Sequence, residues 1–167
     1  MAITSEQYRN ALRHFPAGVT IVTINSPNRE KPHGLTVSAF ASVSPEPPLI
    51  LVAIDHRSYG HEMLEDEGAT FAVNILAHDQ SELSNRFAWI KDEDRFAVGD
   101  WGTAVTGAPV LKDCVAWLDC TIYSRFKEGT HTIYIGRVQA SDVPRPEENP
   151  LVYWNRGYRQ LRLINED

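Results

Sequence analysis

The sequence is poor in the features that announce the commoner site chemistries. It has two cysteines in 167 residues, Cys114 and Cys120. Their six-residue spacing matches neither a metal knuckle nor a redox CxxC pair, so both are expected as buried free thiols in a strand. No apolar run approaches the ~20 residues of a membrane span, and residues 1–10 carry no signal-peptide core. A cytoplasmic protein is the expectation. There is no GxGxxG and no GxxxxGK[ST], so any nucleotide is held in neither a Rossmann nor a Walker manner. GxSxG and HExxH are absent too, and the six histidines, at positions 14, 33, 56, 61, 78 and 131, are scattered. No metal is expected. The formal charge of −6, with no basic cluster, argues against nucleic acid or an anionic membrane surface as a partner.

What is present is an ordinary globular composition, 43% hydrophobic and 23% charged, in a chain of one domain's length. Its most distinctive stretch is residues 34–48, Gly-Leu-Thr-Val-Ser-Ala-Phe-Ala-Ser-Val-Ser-Pro-Glu-Pro-Pro. Small residues let the backbone approach a ligand, and Thr36, Ser38, Ser42 and Ser44 offer hydroxyls without charge. Such a surface suits a flat, polar-edged ligand or a phosphate; a plain strand pair with a Pro-rich turn is the alternative.

Taken in order, Thr4 or Ser5 caps a helix over residues 6–15 with Tyr8, Ala11, Leu12 and Phe15 on one face. Strands follow over 19–24 and from about 33 through 44, then over 49–54, the last aliphatic enough to be buried on both faces. A helix over 61–67 ends at Gly68. Next come a strand over 70–76, a helix over 79–88 and a charged surface excursion over 91–107. Two long strands, 115–126 and 132–143, are joined by a hairpin-like connection at 127–131. Short elements lie at 151–154 and 157–161. The acidic residues Glu62, Glu65, Asp66 and Glu67 read as a solvated helix face, as do Asp92, Glu93 and Asp94. Six or seven strands with two or three short helices predict a mainly β fold, a barrel or sandwich. His131 opens a strand beside Gly129 and belongs at a rim, where it either donates to a bound carboxamide or phosphate or simply meets solvent.

Several segments in register along most of the chain resemble the short-chain flavin reductases, the reductase components of two-component flavin monooxygenases such as the 4-hydroxyphenylacetate and nitrilotriacetate systems. They include FPAGVTIVT at 15–23, GLTVSAFASVS at 34–44 with Pro47-Pro48, FAVNIL at 71–76, and Phe87-Ala88 with Asp94-Arg95-Phe96. GAPVL at 107–111, GTHTIYIGRV at 129–138, and PLVY at 150–153 with Gly157-Tyr158 complete the set.

The resemblance implies a split β-barrel flavin-binding fold, Greek-key-like with short peripheral helices, forming one FMN-binding domain over residues 1–167. It implies a homodimer with the flavin at the subunit interface. The isoalloxazine edge would be held by Pro32, His33, Gly34, Leu35, Thr36, Ser38 and Ala39. The ribityl-phosphate would meet Ala53, Ile54, Asp55, Ser58, Tyr59 and Gly60, with Arg86 and Phe87 from the next helix and Arg57 or Arg86 pairing with phosphate. His131, as the catalytic residue, and Tyr153 and Tyr158 match the positions where the family places the nicotinamide donor. Where the family has Gly-Asp-His, this chain has Gly129-Thr130-His131. The implied reaction is hydride transfer from nicotinamide C4 to flavin N5, with the protein supplying orientation and the cofactors the chemistry. FMN or FAD and NADH or NADPH all remain open, with FMN and NADH favoured; Arg29, Lys31 and Arg156 are the candidates for meeting a 2′-phosphate. The implied partner is a flavin-dependent monooxygenase component. A reductase acting on a cobalt corrinoid and a non-catalytic flavin-binding module are the alternatives.

Overall fold

A computed structural model describes residues 2–90, 94–162 and 164. The chain opens with α1 (Ser5–Leu12), whose Thr4 hydroxyl accepts from Gln7 N–H while the Gln7 side chain accepts from Thr4 N–H, a reciprocal cap. The helix stops short of residue 15 and buries none of its residues in this chain. Then come β1 (Ala17–Gly18), β2 (Thr20–Asn25), β3 (His33–Val37), β4 (Phe40–Pro45), β5 (Pro48–Asp55), α2 (Tyr59–Leu64), β6 (Thr70–Ile75) and α3 (Ser81–Trp89). A 3-10 turn (Arg95–Ala97), β7 (Trp101–Thr103), β8 (Pro109–Leu111), β9 (Ala116–Glu128), β10 (His131–Asp142), β11 (Val152–Trp154) and β12 (Gly157–Arg159) complete it.

Seven strands form one antiparallel sheet in the order β3-β2-β6-β9-β10-β5-β4. The edge strands β3 and β4 are joined by Ser38-Ala39 alone. Laid flat, six inter-strand gaps of ~4.8 Å would hold those edges about 29 Å apart, whereas three Cα steps span no more than about 11 Å. The sheet therefore curls until its edges nearly meet, and Ala39 C=O accepts from Ala53 N–H of β5 at 3.0 Å. This is the split β-barrel. The stretch read as one strand from 33 to 44 is two strands at opposite edges, because a single continuous strand could not serve both.

Val22, Ile24, Val52, Ile54, Phe71, Val73 and Tyr134 fill the barrel, and α2 plugs it with Met63 and Leu64. A second apolar cluster beneath α3 joins Val19, Ile21, Leu83, Phe87 and Leu111. β2 lies between the two clusters and, like its neighbour β6, is buried on both faces. β5, expected to be so, alternates instead: Ile50, Val52 and Ile54 point inward, and Leu49, Leu51 and Ala53 are half-buried on the outer face. Its place beside the edge strand β4 leaves that side without a covering layer in one chain.

The excursion over 91–107 is partly ordered. β7 pairs with β8, and buried Asp119 accepts from Val105 N–H, Thr106 N–H and the Thr106 hydroxyl, tying the loop to β9. Residues 91–93 of that excursion, with the expected acidic face at Asp92 and Glu93, lie outside the described residues. The acidic face of α2 is not merely solvated. Glu65 accepts from the Tyr134 hydroxyl at 2.9 Å and pairs with Arg125 and Lys127, while Asp66 and Glu62 hold Arg29. Cys114 and Cys120 are buried free thiols, each pushed up to about 12 by burial. Among the described residues no helix is long and apolar enough to cross a membrane.

Candidate functional site

A cleft of about 1250 Å³ runs between β3, the start of α2, the outer side of α3 and the β11–β12 hairpin. Its walls follow from local chemistry. At one end Ser58 caps α2, accepting from His61 N–H at 3.1 Å, which begins the helix two residues earlier than expected and places Tyr59 in its first turn. The Tyr59 ring meets His33 edge-on at 5.1 Å. Burial, with help from the charge of Arg95, lowers the His33 pKa to about 4, so its imidazole is neutral at pH 7. Along the floor, the Thr36 hydroxyl donates to Ser84 C=O at 2.6 Å and docks α3 on β3. The Tyr158 hydroxyl lies 2.9 Å from both Ser84 Oγ and Asn85 Oδ1, and its ring meets Tyr153 at 5.5 Å.

Ten of the expected ligand residues line this cleft: Pro32, His33, Leu35, Thr36, Ser38, Ser58, Tyr59, Phe87, Tyr153 and Tyr158. Gly34 stands behind the wall, because a Cβ there would come within 2.5 Å of the Phe87 ring. Gly60 is similarly close to Leu35 and Ile24. Ala39 and Ala53 face each other across the barrel seam. Ile54 points into the barrel, since the period of two along β5 puts its side chain opposite those of Ala53 and Asp55. Arg86 donates to the carbonyls of Asp94 and Arg95 rather than lining the cleft. Asp55 lies beneath the rim and grips Arg57, which does line the cleft, at 2.6 Å; the guanidinium holds that carboxyl well below the usual range. His131 is not on the cleft wall. It pairs with Asp55 across the β5–β10 ladder, and its Nδ1 lies 2.9 Å from the Thr130 hydroxyl.

The structure adds residues to which no role was given. Arg95 donates to Gly34 C=O at 2.7 Å and to Ile90 C=O at 2.6 Å, binding the end of α3 to β3. Ser84, Asn85, Trp89 and Phe96 complete the wall. Lys31, Arg57, Arg95 and Arg156 set four cations against the single acid Asp94, in a chain whose net charge is −6. Such a reversal of sign marks a site for an anionic ligand. The cleft is larger than the ~300–1,000 Å³ usual for one small ligand. Aromatic faces, neutral hydroxyls and rim cations together fit a flavin nucleotide: a flat ring with a hydrogen-bonding edge and a phosphate. Behind α2, His56 and His61 share the Thr132 hydroxyl at 3.0 Å each; among the described residues no trio of His, Cys, Asp or Glu is grouped for a metal.

The sequence profile of the flavin reductase like domain matches residues 12–162. The chain belongs to the flavin reductase family. The reductase component of the FADH2-dependent resorcinol hydroxylase of a Rhizobium species is 37% identical over 154 residues, covering 92% of this chain and 85% of that one. A flavin reductase (NADH) of Kitasatospora aureofaciens is 42% identical over 160 residues, 93% of this chain and 81% of that one. Among solved structures, the NADH:FAD oxidoreductase of Streptomyces globisporus C-1027, in complex with NAD and FAD fragments, superposes with a TM-score of 0.88 at 29% identity, covering 99% of both chains. As a flavin reductase the chain is an oxidoreductase, and the split-barrel expectation holds.

Proposed function

We propose that this flavin reductase uses NADH to reduce FMN, with FAD as an alternative occupant, and releases the reduced flavin to a partner monooxygenase component in the cytoplasm. The cleft carries the reading: it is cationic in an acidic chain, walled by aromatic rings and too large for one small ligand. The nicotinamide supplies the hydride and the flavin accepts it. The chain's part is to bind, orient and exclude water. Pro32, His33, Leu35, Thr36 and Ser38 offer the flavin ring neutral groups, with the Gly34, Ala39, Ala53, Ile54 and Gly60 backbones behind them. Ser58, Tyr59 and Arg57 serve the phosphate end. Tyr153 and Tyr158 face the donor. Neutral His33 hydrogen-bonds without adding charge beside the ring. His131 acts on donor binding as a positioning residue through Asp55 and Arg57. Arg86 contributes by holding the segment at 94–95.

NADH is preferred to NADPH in line with the relatives named as NADH-using flavin reductases; of the candidates for a 2′-phosphate, Arg29 is already held by Asp66 and Glu62. A homodimer is supported by the uncovered apolar surface of α1 and the turn after it, where Tyr8, Leu12 and Phe15 are 54%, 50% and 73% exposed. Steady-state NADH oxidation tests the reading. Consumption that requires added FMN or FAD, and that drives hydroxylation when a flavin-dependent monooxygenase is supplied, is the expected result. Tight flavin binding without NADH consumption would make the protein a carrier.

A further inference from the structure

Trp89 ends α3 on the cleft wall and is 77% exposed. The other three tryptophans are engaged. Trp101 donates to Val98 C=O and packs on Phe87 and Phe96; Trp154 donates to His14 C=O beneath the Arg159 guanidinium; Trp117 packs against buried clusters. The neighbouring aromatics of the cleft are paired as well: Tyr59 with His33, Phe96 with Phe87, Tyr153 with Tyr158. Among the described residues Trp89 has neither a ring partner nor a hydrogen bond for its indole, and unlike Trp117, which also lacks both but packs against the core, it is open to solvent. Its backbone is nonetheless held. The next residue, Ile90, donates its N–H to Arg86 C=O at 3.2 Å, and its C=O accepts from Arg95, which is itself fastened to Gly34. An open indole face on a fixed support beside a cationic cleft is what a stacked nucleobase needs. Lys31 and Arg156 line the same cleft with no ion-pair partner among the described residues, leaving them free for a diphosphate. The cleft's volume leaves room for a second ring system beyond one flavin mononucleotide.

We propose that Trp89 stacks the adenine ring of a dinucleotide bound in the cleft, so that this residue sets the preference for adenine dinucleotides over their mononucleotide halves. The inference rests on the flavin reductase reading. Adenine is common to FAD and NADH, and the stacking chemistry is the same for both.

Equilibrium titrations of the oxidised protein with FMN and FAD, and of the flavin-free protein with reduced nicotinamide mononucleotide and NADH, test it. In Trp89→Ala the dinucleotide loses about 5- to 100-fold in affinity, the range of one base–aromatic stack, while its mononucleotide half binds as before. A loss confined to FAD identifies the flavin's adenine; a loss confined to NADH identifies the donor's. Trp89→Phe restores most of the affinity. In the wild-type protein adenosine diphosphate quenches an indole emission that Trp89→Phe lacks. Equal losses for mononucleotide and dinucleotide, no loss at all, or a changed oligomeric mass with unchanged affinity ratios would overturn the proposal. A wild-type protein that binds dinucleotides through Trp89 yet never oxidises NADH would defeat the reductase reading and leave the stacking intact.

Discussion

Gly136 and Gly34 each face a phenylalanine so closely that a Cβ would lie 2.5 Å from a ring carbon, of Phe71 and Phe87 respectively. Their surroundings differ. Gly136 sits on β10, and Phe71 comes from β6, with β9 between the two strands; every backbone involved is fixed by ladder hydrogen bonds on both sides. Gly34 sits on the edge strand β3, and Phe87 comes from α3, a helix docked through contacts such as the Thr36 hydroxyl on Ser84 C=O. The first contact has nowhere to relax. The second can yield by moving the helix, and the helix is a wall of the cleft. One glycine therefore governs the stability of the barrel and the other the shape of the site.

Gly136→Ala is expected to have the largest effect, a destabilisation of about 1–3 kcal/mol from overpacking. That lowers Tm by roughly 2–12 °C for a chain of this size, as calorimetry will show, with flavin affinity in the surviving fold unchanged. Gly34→Ala should reverse the pattern: a smaller fall in Tm and a loss of about tenfold in FMN affinity, equivalent to ~1.4 kcal/mol, as α3 shifts outward. Equal Tm losses with no change in affinity would break the comparison.

A pH series sharpens it further. Burial, and then Arg95, lower the His33 pKa from 6.5 to about 4. Between those values the unfolded chain binds the proton and the folded chain does not. The contribution of His33 is therefore fully present above pH 6.5, falls as the pH drops through that window, and levels off below about 4. His33→Asn should show a shallower decline of Tm over the same range, whereas Gly136→Ala keeps the wild-type slope. The smallest effect belongs to Asp55→Ala: Arg57 is exposed and solvent screens its pair with half-buried Asp55, so Tm should fall only slightly, and FMN affinity should fall only severalfold as Arg57 loses its anchor.

The barrel was legible because β-branched, apolar runs such as 19–24 and 70–76 and the small-residue stretch at 34–44 carry their own signal. The cleft residues between Pro32 and Ser38, and Tyr153 with Tyr158, were legible through resemblance. What escaped depends on tertiary docking. Arg95 lay inside a matched segment, but its partner Gly34 is 61 positions away. The Tyr134 bond that takes Glu65 out of the solvent crosses 69 positions. That the Ile54 side chain turns into the barrel shows only in the fold, because an aliphatic run does not say which of its residues face inward. The four cations of the cleft form no cluster in sequence, so this reversal of charge is visible only once the chain is folded.

The central claim, that this cleft reduces flavin with NADH, is tested most directly by anaerobic stopped-flow mixing of the FMN-loaded protein with NADH, following the flavin absorbance near ~450 nm set by the cofactor itself. Rapid bleaching in the wild-type protein, slowed in Gly34→Ala at equal flavin loading, is the predicted result. Flavin that stays oxidised under excess NADH would contradict it.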